Sequence, residues 1–380
     1  MEKFKLIIQS IKKLFHNNEI IPLHEPFFNG NEKKYLNECI DSTFVSSVGK
    51  FVTSFENKIS NYTNTNHGIA VVNGTSALSI ALKAVGVDNN DEVITQALTF
   101  VATANAIHYN SAHPVFIDVD VDTMGLSPNS LLNFLSNNAE VKNGNCFNIK
   151  TKRKISACLP MHTFGFPVRI EEIVEICKKW CIPVVEDAAE SLGSFVNGKS
   201  VGSFGDIGVF SFNGNKIITS GGGGAIVTNN EKIAKWLKHV TTTAKKAHPY
   251  NYYHDEIGFN YRMPNLNAAL LLAQMEQLDS FIDKKRNTAH NYKSIFQELE
   301  IDFKWELENT RVNFWLICME LNNRKERDDF LDYAHSNGVL ARPMWELMID
   351  LPMYKHCQHD DQKNARFLSD RIVNLPSSVI

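Results

Sequence analysis

The segment Gly205-Asp206-Ile207-Gly208-Val209-Phe210-Ser211-Phe212-Asn213-Gly214-Asn215-Lys216-Ile217-Ile218-Thr219-Ser220-Gly221-Gly222-Gly223-Gly224 is an apolar strand that breaks into a polar turn with one lysine and then runs into four glycines. An amine on a turn at a strand end can be dried by apolar neighbours, which lowers its pKa and makes it a Schiff-base nucleophile. Four consecutive glycines let the backbone pass close to a ligand or to another chain. A lysine taken alone is most often a solvated surface charge, so the case for Lys216 depends on the rest of the chain.

Outward from this segment, short β-branched runs alternate with helical patterns. Residues 68–72, 92–94, 114–118, 155–160, 182–186, 207–211 and 225–228 read as strands, and 76–85, 100–109, 169–180 and 232–239 as helices. Such alternation predicts a mostly parallel sheet with helices on its faces. Asn197-Gly198 predicts a hairpin across 196–202. Residues 241–255 are polar, aromatic and aperiodic, a long loop of the kind that usually carries function. A helical stretch then runs from Asn265, its expected cap, to about residue 299. Strands at 314–321 and 339–342 and helices at 326–337 and 362–372 complete a small α+β domain. The expected organisation is an N-terminal amphipathic helix (1–20), a large α/β domain (21–255), and a linking helix with the small domain (256–380).

The chain has 380 residues, 43% hydrophobic and 21% charged, enough for a large core. A formal charge of −3 gives no electrostatic reason to expect nucleic acid or an anionic membrane as partner. Seven scattered cysteines, an odd number, fit reduced thiols in the cytoplasm, and Cys177 with Cys181 lacks the further ligands that zinc needs. No metal site is expected. The first twenty residues are amphipathic with a basic face, too short and interrupted for a membrane span, and are expected to pack on their own domain or on a partner.

Three more segments fall where ligands of open sheets bind, outside the carboxyl ends of strands. Asn73-Gly74-Thr75-Ser76-Ala77-Leu78 is a turn and helix start whose free N–H groups and hydroxyls form an anion cradle, or only an ordinary cap. Glu186-Asp187-Ala188-Ala189-Glu190 delivers a carboxylate at the end of a buried strand, so Asp187 needs a cationic or N–H partner. A protonated pyridine nitrogen would serve. In Leu98-Thr99-Phe100, the phenylalanine could stack on a flat ring or simply fill the core. A phosphate anchor, a stacking face, a pyridinium partner and a Schiff-base lysine are together what pyridoxal 5′-phosphate requires.

With these motifs, with Ser211 five residues before Lys216, and with Gly258-Phe259-Asn260-Tyr261-Arg262-Met263-Pro264, the chain resembles the nucleotide-sugar aminotransferases of the DegT/StrS group from about Ile21 to the C-terminus. The resemblance implies fold type I, with a mostly parallel seven-stranded sheet and a smaller C-terminal α+β domain. It implies that Gly74, Thr75, Ser76 and Ser211 hold the phosphate, Phe100 stacks on the ring, and Asp187 binds the ring nitrogen. Glu190 would lie near the ring hydroxyl, where glutamine or histidine is usual, and an acid there must be protonated or face an amine. Asn260 would reach the phosphate of a neighbouring subunit, which implies a homodimer with shared active sites. Asn213, Tyr253, Arg262 and Arg342 are the candidate substrate-binding residues.

Ile-Pro-Leu-His-Glu-Pro at 21–26, Phe-Val-Ser-Ser-Val-Gly-Lys at 44–50, Ala-Arg-Pro-Met-Trp at 341–345 and Asn213 are similar to the subgroup of the bacillosamine and legionaminic acid pathways. The resemblance therefore implies a transaminase, of the UDP-N-acetylbacillosamine type, with Lys216 and Asp187 as catalytic residues. It would move the amino group of L-glutamate to the C4 ketone of a nucleotide-linked 4-keto-6-deoxy sugar, with UDP-2-acetamido-2,6-dideoxy-4-keto-hexose favoured, for a surface glycan. The alternatives are a 3- or 4-aminotransferase for a GDP- or dTDP-linked keto sugar, and a regulatory protein that binds the cofactor without turnover.

Overall fold

The computed structural model describes residues 2–16 and 19–380. Seven strands form the body of the central sheet: β1 (His67–Val71), β2 (Glu92–Gln96), β3 (His113–Ile117), β4 (Lys154–Leu159), β5 (Val185–Asp187), β6 (Ile207–Ser211) and β7 (Gly224–Thr228), and a hairpin of Ala139–Lys142 and Asn145–Asn148 pairs antiparallel onto the start of β4. Their spatial order is β3-β2-β4-β5-β6-β7-β1, with β4 and β5 joined by the parallel bridges Cys158–Val184 and Met161–Asp187. β7 runs antiparallel to both its neighbours, while the β2–β3, β2–β4 and β5–β6 pairs are parallel. Every residue of β2 and β7 is buried. That is why their sequences show no in–out alternation: helices cover both faces.

The helices Gly74–Ala84, Val101–His108, Ile170–Lys179 and Glu231–Val240 lie where the sequence predicts them, and the first and last of them start at side-chain caps. Asn73 accepts the Ser76 N–H and Asn230 accepts those of Lys232 and Ile233, each satisfying donors that the first turn leaves open. The hairpin Phe195–Val196 and Lys199–Ser200 turns at Asn197 and Gly198, both at positive φ (50° and 74°), as a two-residue turn requires.

The C-terminal part carries a second sheet of β8 (Asp302–Phe303), β9 (Ile317–Glu320), β10 (Arg342–Pro343) and β11 (Ile372–Leu375), in the antiparallel order β8-β9-β11-β10. The N-terminal helix Glu2–Leu14 buries Phe4, Ile7, Ile8 and Ile11. The Phe4 ring meets Phe330 of the helix Arg324–Ser336 edge-on at 5.4 Å, so its apolar face packs on the chain's own C-terminal part. No described helix is long and apolar enough to cross a membrane.

Three expectations are corrected. The stretch from 265 to 299 is two helices, Asn265–Met275 and Leu278–Glu298, separated at Glu276 and Gln277. Asn265 is the first helical residue rather than the cap: its Oδ1 accepts the Phe51 N–H at 3.1 Å and its Nδ2 donates to the Phe44 carbonyl at 2.7 Å, which ties 44–51 to this helix. The strand expected from 314 begins only at Ile317, because Phe314 sits at φ 48° and turns the chain there.

Candidate active site

A cavity of about 630 Å³ opens at the carboxyl ends of β5 and β6, between the large sheet and the C-terminal sheet. Asp187, the last residue of β5, is on its floor and 2% exposed. Burial alone pushes its carboxyl upward. The Thr103 hydroxyl donates to Oδ2 at 2.8 Å and the Ala189 N–H to Oδ1 at 3.1 Å, and both favour the carboxylate. Thr103 stands one turn after Phe100 on the helix Val101–His108, so this helix brings both a stacking face and a support for the acid.

Gly74 meets the end of β6 at close quarters. A Cβ there would lie 2.8 Å from Ser211 Cβ, so only glycine lets the helix start and Ser211 share one corner of the cavity. Gly74, Thr75 and Ser211 line that corner, and N–H groups of a first helical turn beside a hydroxyl suit a phosphate. Ser76 does not line the cavity; its N–H donates to Asn73 Oδ1 at 2.7 Å. The glycine run passes directly behind: a Cβ on Gly224 would lie 2.6 Å from the Asn73 carbonyl carbon.

Lys216 rises from a loop closed at its base. Phe212 N–H donates to the Gly223 carbonyl at 2.8 Å, Ser220 N–H to the Phe212 carbonyl at 3.2 Å, and Lys216 N–H to the Asn213 carbonyl at 3.0 Å. Phe212, Ile217 and Ile218 are buried and hold the loop down. The Lys216 Nζ enters the cavity and donates to Glu190 Oε1 at 3.1 Å. Glu190 is 3% exposed, and burial raises its carboxyl to about 7 against the pull of the Lys216 ammonium and of the Phe164 N–H, which donates to Oε2 at 2.9 Å. The acid thus faces an amine, one of the two conditions its sequence position requires.

Glu186, next to Asp187, has a different task. It accepts N–H bonds from Gly202, Phe204 and Gly205 at 2.7–2.8 Å and a bond from His162 Nε2 at 3.1 Å. Because Val168 N–H donates to His162 Nδ1, the proton of this imidazole sits on Nε2. The pair is spent on joining the loop after the hairpin to β5.

Phe100, half exposed, meets Trp345 at 6.1 Å between centroids, and Trp345 meets Phe164 at 4.6 Å. Trp315 places its ring 4.0 Å from the Lys216 Nζ. This aromatic wall is largely invisible in the sequence, since Trp315 falls in a run that reads as strand and Phe164 reaches the cavity only through a left-handed φ of 56°. Asn213 and Arg342 both line the cavity. Tyr253, Asn260 and Arg262 do not line it. Arg262 pairs with the buried Glu56 at 2.6 Å, and Asn260 and Tyr253 are exposed on the irregular segment after Val240.

Pyridoxal phosphate fits these residues: a corner of N–H donors and a hydroxyl that no side chain at 74 could leave open, a buried acid on the floor, an aromatic face and an amine. The model of the DegT/DnrJ/EryC1/StrS aminotransferase family matches residues 27–379. The chain is 38% identical to GDP-perosamine synthase of Escherichia coli O157:H7 over 94% of its length and 93% of that protein. It is 37% identical to GDP-perosamine synthase of Vibrio cholerae over 94% of each. The fold matches Helicobacter pylori PseC, an aminotransferase of pseudoaminic acid biosynthesis, with a TM-score of 0.84 over 94% of this chain and 93% of that one at 23% identity.

Proposed function

Because the chain belongs to the DegT/DnrJ/EryC1/StrS aminotransferase family, whose cofactor is pyridoxal phosphate, we propose that it aminates the C4 ketone of a GDP-linked 4-keto-6-deoxy sugar with L-glutamate as donor, for a surface glycan. The observation that carries the chemistry is the convergence of Lys216, Glu190 and Asp187 in one cavity. The GDP-linked reading is supported by the names of two relatives covering nearly the whole chain, and it replaces the UDP-linked 2-acetamido sugar favoured from the motifs.

In this reading Lys216, whose Nζ enters the cavity beside Glu190, would be the amine that holds the cofactor and, when free, the group placed to carry a proton. When bound, the cofactor supplies the electron sink that makes such a proton removable. Asp187, whose carboxylate form is favoured by the bonds from Thr103 and the Ala189 N–H against the upward push of burial, would face the ring nitrogen and favour its protonated form. Gly74, Thr75 and Ser211 would bind phosphate oxygens, and Phe100 would cover the ring. Arg342, on the exposed rim, offers a guanidinium to an anionic group of the donor or of the nucleotide diphosphate.

The reading includes a homodimer. Tyr250, Tyr252 and Ile257 are 79%, 81% and 82% exposed on the segment that carries Asn260, a cluster of large apolar groups that a second copy would cover. Asn260 would then serve the partner's phosphate corner.

The experiment loads the enzyme with pyridoxamine 5′-phosphate, supplies GDP-, UDP- and dTDP-4-keto-6-deoxy sugars in turn, and identifies the amino sugar by mass and NMR. Conversion of the GDP sugar at a kcat/KM at least about tenfold above the others supports the proposal. Preference for a UDP or dTDP sugar, or amination at C3, overturns it.

A further inference from the structure

The Lys216 ammonium rests between two partners. On one side Glu190 Oε1 accepts from Nζ at 3.1 Å; on the other the Trp315 ring centroid lies 4.0 Å away. A cation over an indole face is attracted by the ring quadrupole, most strongly when both are desolvated. Here Trp315 is 4% exposed and the Lys216 side chain 12%.

These two partners are built as one piece. The fully buried Asn313 donates through Nδ2 to the carbonyls of Glu190 and Leu192, both at 2.9 Å, and accepts the Trp315 N–H on Oδ1 at 2.8 Å. The Trp315 indole N–H donates to the Asn215 carbonyl at 2.7 Å, which ties the ring to the residue before the lysine. Other charged or titratable groups near Lys216 or in the same cavity are Asp187 on the floor, His24 from the N-terminal segment, and Arg342 and Glu346 in the cavity lining.

We infer that Trp315 and Glu190 form a berth for the Lys216 amine whenever it is not bonded to the cofactor, which makes Trp315 a positioning residue for proton transfer by this lysine. With the cofactor bound, the free amine would take up a proton from the donor carbon as ammonium and give that same proton back, so the balance would close without a further acid or base. Between the two events the ammonium needs a place that stabilises its charge and keeps it on one side of the cofactor. The indole face and the carboxylate supply it. Without Trp315 the four-carbon stem of the lysine is free to wander.

This inference rests on the aminotransferase reading but not on the identity of the sugar. The first experiment needs no variant and no substrate: a crystal structure of the wild-type enzyme carrying pyridoxamine 5′-phosphate, a form in which the lysine is free. Nζ should lie within about 6 Å of the Trp315 ring centroid and hydrogen-bond Glu190. Nζ placed elsewhere overturns the inference. The second follows bleaching of the cofactor's visible band on rapid mixing with L-glutamate. Trp315→Leu should lower the limiting rate about tenfold and leave the half-saturating glutamate concentration nearly unchanged, and Trp315→Phe, which keeps a π face, should recover most of the rate. An unchanged rate in Trp315→Leu, or an effect only on half-saturation, overturns it. Should the leucine variant fail to fold, the structure decides.

Discussion

Glu190 shows how far one residue's chemistry depends on its surroundings. Burial raises its carboxyl from an ordinary 4.5 to about 7, so between those pH values the folded chain holds a proton that the unfolded chain has released. Its contribution to stability is therefore complete below pH 4.5 and is lost as pH rises toward 7, by on the order of 2–3 kcal/mol. With the cofactor removed, thermal melting of the wild type should fall more steeply from pH 5 to 7.5 than that of Glu190→Gln; parallel curves would count against the shift. Lys216→Ala should bind pyridoxal phosphate with no borohydride-fixable link and lose at least about a thousandfold in turnover. Retained fixation would identify a different lysine. Asp187→Asn still offers a hydrogen bond but not a charge, so kcat should fall about a hundredfold or more with a much smaller loss of cofactor affinity. Equal turnover at saturating cofactor would remove Asp187 from the mechanism.

Among the elements, the junction of the helix Gly74–Ala84 with β6 sets the proposed phosphate corner. Gly74→Ala introduces a methyl 2.8 Å from Ser211 Cβ, so the two elements must part. Cofactor affinity should drop about tenfold or more while the melting temperature of the cofactor-free chain moves by only a few degrees. Fluorescence titration with pyridoxal phosphate measures the first and calorimetry the second. These elements were legible because a parallel sheet repeats a simple pattern of buried run and amphipathic helix. The split at Glu276 and Gln277 was not legible: it contains neither proline nor glycine, and Asn265, with the composition of a cap, is drawn instead into bonds with Phe44 and Phe51 more than two hundred residues away.

For the whole molecule, the proposed shared sites give a direct test. Lys216→Ala and Asn260→Ala chains, each inactive, should on mixing form heterodimers with one intact site and recover part of the activity. No recovery despite demonstrated subunit exchange would mean that each chain completes its own site. Sequence alone determined the fold class and the order of the Asn73–Ser76 turn, strand-end acid and lysine, because these depend on local turn chemistry and on where strands end. Tertiary structure alone decided which partners those groups meet. Glu190 and Trp315 are 125 positions apart and become neighbours of Lys216 only because Asn313 joins their backbones. Arg262, which by motif belongs with Asn260, is instead taken up by Glu56. Desolvation and cation–π contact are properties of a packed cavity, and no spacing along the chain encodes them.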